Sequence, residues 1–168
     1  RKPSGELGGS ATFDIGNYNA RVTKLNLDLP QLGLLRASIG VRSETRDGLI
    51  KTTAGSSVPE LNNRDNQAAR LALSMQASPD LQFDYKYDKS KANQASQFSQ
   101  VVNSDILKNF YIPGVIVNTN RQTTASIDGP SFERYDIDGQ AMTAEWKVGA
   151  NDTLKYTWSR RTMTWADS

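Results

Sequence analysis

Lys24-Leu25-Asn26-Leu27-Asp28-Leu29, a turn at Pro30-Gln31-Leu32-Gly33, and Leu35-Arg36-Ala37-Ser38-Ile39-Gly40-Val41-Arg42 form the stretch that decides the fold. Apolar and polar residues change places one by one on both sides of the turn. Successive side chains of a β-strand point to opposite sides of its sheet. Leu25, Leu27 and Leu29 therefore share one face, and Lys24, Asn26 and Asp28 the other. After the turn, Leu35, Ala37, Ile39 and Val41 oppose Arg36, Ser38, Gly40 and Arg42. The repeat is two, not the three-and-four of a helix.

Outward from this hairpin the pattern continues. It predicts an all-β chain, an antiparallel meander of about seven long strands at roughly 6–15, 19–29, 34–46, 63–77, 81–90, 133–149 and 153–165. Ala69, Leu71, Leu73 and Met75 alternate with Ala68, Arg70, Ala72 and Ser74. Leu81, Phe83, Tyr85 and Tyr87 alternate with Gln82, Asp84, Lys86 and Asp88. Met142, Ala144, Trp146 and Val148 oppose Ala141, Thr143, Glu145 and Lys147, and Leu154, Tyr156 and Trp158 oppose Lys155, Thr157 and Ser159.

The connections carry a second signal. Short ones fall at Gly16–Tyr18, Pro30–Gly33, Ser78–Asp80 and Gly149–Asp152, rich in Gly, Pro, Asn and Asp. Long ones fall at about 47–62 and 91–132, the latter rich in Asn, Gln, Ser and Thr around an apolar island from Ile106 to Val117. Adjacent antiparallel strands turn at opposite ends, so both long loops lie on one rim and three tight turns on the other. Transmembrane barrels have this asymmetry. Gly16–Tyr18 is a short turn on the long-loop rim, a mild exception.

Composition agrees with a barrel wall without demanding one. Of 168 residues, 37% are apolar and 23% charged, with mean hydropathy −0.59. Barrel strands dilute apolar residues at every second position, so no long apolar run is expected. Net charge is +2 with no basic block, which gives no footprint for nucleic acid. Cysteine and histidine are both absent, removing disulfides, thiolate metal sites and the commonest general base. The first residue is Arg1, with neither initiator methionine nor signal peptide, so a mature segment or a cut from a longer chain is expected.

Arg1-Lys2-Pro3-Ser4-Gly5-Glu6-Leu7-Gly8-Gly9-Ser10, followed by Asp14-Ile15-Gly16-Asn17-Tyr18-Asn19, resembles the junction between plug and barrel in TonB-dependent outer-membrane receptors. Arg46-Asp47-Gly48, Leu61-Asn62-Asn63-Arg64-Asp65-Asn66 and Ala77-Ser78-Pro79-Asp80-Leu81 also look like features of that family, at the second outer loop, the fourth strand's start and the next inner turn. The resemblance covers nearly the whole chain, through short motifs. It implies that residues 1–168 are a partial β-barrel domain, an open fragment of a transmembrane barrel. The plug–barrel junction would lie near 1–10 and the outer loops at about 47–62 and 91–132. The family's plug, its TonB-contacting segment and about two-thirds of its strands have no counterpart here.

What the resemblance implies for function is uptake of a scarce ligand, of siderophore, vitamin or carbohydrate class, across the Gram-negative outer membrane with energy transmitted by TonB. Implied partners are outer-membrane lipid, the receptor's own plug, the TonB complex and the small ligand. Ligand contacts are expected on the 91–132 loop and its flank, with Tyr111, Arg121 and Arg134 as candidates, since aromatic rings and guanidinium groups suit chelates and sugars alike. No enzyme, cofactor or metal is expected: no phosphate loop is present, no nucleophile has a nearby base, and Asp136-Ile137-Asp138-Gly139 lacks most calcium-loop ligands. Polar-face charges such as Lys24, Asp28, Arg36, Arg42, Arg70, Asp84, Lys86, Glu145, Lys147, Lys155 and Arg161 read mainly as a solvated face. Trp146 and Trp158 on the apolar face, with Trp165 near its strand's end, suit either an interfacial girdle or core packing.

Two other readings share the alternation. A soluble β-sandwich, such as an adhesion or carbohydrate-binding module, would press its apolar faces together. A passive porin would share the wall but not the junction motif. Strands of 10–17 residues exceed the usual five or six of globular proteins. Seven strands cannot close a barrel, so two edges and an apolar face would meet water. The isolated segment is therefore expected to be insoluble in plain buffer and to fold in detergent micelles. A monodisperse, cooperatively unfolding monomer in buffer would favour the sandwich.

Overall fold

The computed structural model describes residues 2–100 and 119–168. Among them the strands are β1 (Gly8–Gly16), β2 (Ala20–Asp28), β3 (Leu35–Arg46), β4 (Ile50–Thr52), β5 (Glu60–Leu61), β6 (Arg64–Ser78), β7 (Leu81–Gln94), β8 (Thr124–Ala125), β9 (Glu133–Val148) and β10 (Asp152–Asp167). Seven form one sheet in the order β1-β2-β3-β6-β7-β9-β10, antiparallel at every step. It is an open meander, a sheet built like a sector of a barrel wall.

The tight turns follow their residues. Between β1 and β2, Tyr18 and Asn19 take φ of 59° and 52°, and Ala20 N donates to Asn17 O at 3.2 Å. Left-handed backbone at both positions matches the twist of the flanking strands. Gly33 and Gly149, with φ of 59° and 74°, supply the same conformation at the opposite rim. The β6–β7 turn needs only Pro79 and Asp80, with a register shift between Gln76 and Ser78.

Register aligns the apolar positions across strands. Ala37, Leu73, Tyr85, Met142 and Trp158 form one row, and Leu35, Met75, Phe83, Ala144 and Tyr156 the next. Among the described residues nothing covers them: Ile39 is 43% exposed, Leu154 61% and Phe13 70%. The few residues of this sheet that are buried, Gly40, Ala72, Ser74, Ala92, Gln94 and Gly139, are small or polar and lie on the other face. Among the described residues there is no second layer and no dry interior between layers, and the sheet is open, unlike a sandwich.

The apolar band stops short of the long-loop rim. Past Val41, Ala69 and Tyr87 the same face carries Ser43, Gln67, Lys89 and Lys91, with Asp136 and Asp138 on β9. Tyr87 marks the border, its hydroxyl donating to Asp138 at 2.6 Å. Lys91 and Lys89 approach Asp136 at 3.1 and 3.7 Å. The Asp136–Gly139 stretch is thus continuous strand engaged with lysines and a tyrosine. Trp146 and Trp158 share the apolar face, whereas Trp165 pairs with Tyr135 on the polar face and belongs to no outward girdle.

The expected loops contain structure. β7 runs to Gln94, and β4 pairs with β5 antiparallel and with β8 in parallel, tying the 47–63 connection to the one before β9. Ile50, Leu61 and Ala95 are buried there, with Val58, Phe98, Ala125 and Ile127 packed against them. Lys51 donates to Glu60 at 2.5 Å, which raises the lysine's pKa above its ordinary value. Gly48 makes this close: a Cβ there would stand 2.5 Å from Leu61 O. Leu61 is 2% exposed. Leu61→Ala is expected to cost about 2–5 kcal/mol locally. Hydrogen exchange should quicken at 50–61 and 124–127 and stay unchanged in β6 and β9.

Candidate functional site

The polar face is organised by one row that crosses all seven strands: Ser10, Asn26, Gly40, Arg70, Asp88, Gly139 and Arg161. Asn26 Nδ2 donates to Ser10 Oγ at 3.2 Å. Arg70 on β6 reaches over β3 and donates from Nη2 to Asn26 Oδ1 at 2.8 Å. Arg161 on β10 donates to both oxygens of Asp88 on β7, at 2.9 and 3.2 Å, across β9.

Strands two apart are separated by roughly 9.6 Å, so these bonds exist only if the strand between is flat. Glycine provides that. A Cβ on Gly40 would lie 2.6 Å from Arg70 Nε, and one on Gly139 would lie 2.7 Å from Asp88 Oδ1. Arg70 and Asp88 are themselves cross-strand neighbours. The wall therefore presents a laced polar belt, with opposite charges side by side at its middle.

Near the short-turn rim the segment before β1 folds back over this belt's face. Lys2 Nζ lies 2.7 Å from Asp84 Oδ2 on β7, and Pro3 is buried. Gly5 takes φ of 83° and leaves room for the Arg36 side chain, which a Cβ there would meet at 3.1 Å. Gln31 N donates to Gly5 O at 2.7 Å, and Arg36 Nε donates to Gln31 Oε1 at 2.9 Å. Lys2, Pro3 and Gly5 hold this strap against the sheet, and Ser4 Oγ bonds within it, donating to Glu6 O and accepting from Glu6 N at 3.2 Å.

The sequence-selected residues are scattered. Arg134 is on the same side of the sheet as the apolar band, where Nε donates to Asn93 Oδ1 at 2.9 Å and the guanidinium lies 4.9 Å from the Phe132 ring centre. Arg121 is exposed in the connection before β8. Tyr111 lies outside the described residues. The polar-face charges read from the sequence do share one face, Arg70 and Arg161 within the belt. Sequence reading missed the roles of Gly40, Gly139 and Asp88. Strand parity placed them on the polar face, but only register puts each glycine under a crossing side chain.

No family model matches the sequence, and no curated protein matches it. Among solved structures, the chain is similar to the ferric yersiniabactin uptake receptor FyuA from Yersinia pestis, with a TM-score of 0.71 at 17% identity. The match covers 99% of this chain and 25% of that one, so this chain spans about a quarter of the receptor's length. At this identity the likeness is one of fold: the open antiparallel sheet follows that receptor's backbone.

Gly139→Ala should separate Asp88 from Arg161 and lower the unfolding free energy of the detergent-folded protein by about 1–3 kcal/mol in urea titration. Gly129→Ala, where a Cβ meets nothing within 4 Å, should change it by less than about 0.5 kcal/mol.

Proposed function

We propose that this chain is a sector of the barrel wall of a TonB-dependent receptor in the Gram-negative outer membrane, which imports a scarce small ligand. The observation that carries the reading is the single-layer sheet with two unlike faces. One face is an apolar band with nothing over it among the described residues, suited to lipid. Each Leu or Phe of that band gains about 2 kcal/mol on leaving water. The other face is a laced polar wall suited to a lumen. In a closed barrel every backbone group pairs, so none meets hydrocarbon.

The strap of residues 2–7 supports a plug–barrel junction near 1–10, because it leads the preceding chain onto the polar face, at Asp84 on β7, rather than away from it. That arrangement favours a receptor with a plug over a passive porin. On this reading the lipid, the plug, the TonB complex and a siderophore, vitamin or carbohydrate ligand are the partners. The partial barrel domain spans 1–168, and the connections at about 47–62 and 91–132 face outward. Ligand contact is proposed at that rim, where Arg121 is exposed; Tyr111 and Arg134 are the further candidates from the sequence.

Two measurements test this in the full-length protein. Leu73→Arg, inside the apolar band, should destabilise the bilayer-folded protein by about 2–4 kcal/mol, whereas Thr162→Arg, beyond the band, should cost about 1 kcal/mol or less. Cells lacking TonB should lose ligand uptake through the protein; undiminished entry would establish the porin reading instead.

A further inference from the structure

At the long-loop end of the polar face a pocket of about 230 Å³ is lined by Arg46, Asn62, Asn63, Arg64, Gln94 and Gln97, among others. Arg46 and Arg64 stand directly opposite each other in the β3–β6 register. Cross-strand neighbours are roughly 5 Å apart at Cβ, where like charges repel. Neither guanidinium has a salt bridge among the described residues. Glu44, the next carboxylate on that face of β3, is taken by Arg42 at 2.7 Å.

Two polar atoms at this pocket are buried without partners. Arg46 Nη2 donates to Asn62 O at 2.7 Å, which pins the guanidinium, yet its Nε is buried and bonded to nothing. Gln94 is 6% exposed, and its Nε2 donates to Glu133 Oε2 at 2.9 Å. A carboxylate only accepts, so this bond fixes which way the amide points. Gln94 Oε1 is thereby committed as an acceptor, buried and without a donor. Buried polar atoms in folded proteins are seldom left so, and each one asks for a partner.

The two gaps have opposite chemistry. Guanidinium groups offer only donors and two positive charges, and Gln94 Oε1 offers only an acceptor. We infer that this pocket binds an oxyanion bearing a neighbouring hydroxyl, a hydroxycarboxylate, with the anion between Arg46 and Arg64 and the hydroxyl donating to Gln94 Oε1. A plain carboxylate leaves Gln94 unpartnered, and a neutral polyol leaves the paired charges without a counter-ion. The pocket's part in import rests on the receptor reading above; the binding chemistry does not.

Titration calorimetry on the full-length protein in detergent tests this with three four-carbon probes: tartrate, succinate and erythritol. Tartrate should bind about tenfold or more tighter than succinate, and erythritol should not compete. Arg64→Gln, at a side chain with no hydrogen bond or salt bridge among the described residues, should weaken tartrate about tenfold. Gln94→Met should erase the preference for tartrate over succinate while leaving succinate affinity unchanged. Equal affinity for tartrate and succinate, absence of tartrate binding, or an Arg64→Gln variant that binds tartrate as before overturns the inference. If Gln94→Met fails to fold, by circular dichroism, the Arg64→Gln comparison still decides. TonB-dependent uptake that survives without tartrate binding sinks the pocket alone, and tartrate selectivity without TonB-dependent uptake sinks the import reading alone.

Discussion

A strand in a single-layer sheet has its backbone satisfied by its two neighbours and its side chains divided between two surroundings. In this protein that division is nearly complete on the short-turn side: leucines, aromatics and methionines on one face, amides, hydroxyls and charges on the other. Because a shift of one residue would exchange the faces, every pairing from β1 to β10 must hold the same parity. The one break, the bulge between Gln76 and Ser78, falls at a turn, where Leu81 of the last apolar row stands opposite Ser78. Everything else in the structure, from the exposed apolar band to the laced belt, presupposes that parity.

The two faces are stabilised by different means. The apolar face has rows of contacts and no cover, so its energy depends on what surrounds it. The polar face is self-contained: Arg70 to Asn26 and Arg161 to Asp88 tie strands that are not adjacent, and the strap from Lys2 to Asp84 ties β1's entrance to β7. Such links resist shear between strands in a way that ladder hydrogen bonds alone do not. Glycines at positions 40 and 139 are the condition for them, as any larger residue would occupy the path of the crossing side chain.

The long-loop rim is a separate piece of construction. Its buried apolar cluster lies in the connections, where Leu61 and Ile50 belong to a three-stranded ribbon and pack with Ala95. Asn62, with φ of 60°, passes from that ribbon into β6 and offers its carbonyl to Arg46. A rigid rim of this kind can hold polar groups in fixed positions above the sheet, which is what recognition at this end would require. The change from apolar to charged side chains at Tyr87 shows that the strands extend past the band toward that rim.

The sequence by itself determined the seven strands of the main sheet, the face assignment, the short-turn rim and the two long connections, because a period of two and a few Gly, Pro and Asn residues are local properties. It also marked Lys2-Pro3-Ser4-Gly5 as special without saying what those residues touch. Only the tertiary structure decided that the apolar face has no second layer among the described residues, that the connections pair with each other, and that Arg46 opposes Arg64 beside Gln94. Those facts depend on register between segments far apart in the chain. Alternation is blind to register, since any even shift preserves the faces while changing every neighbour.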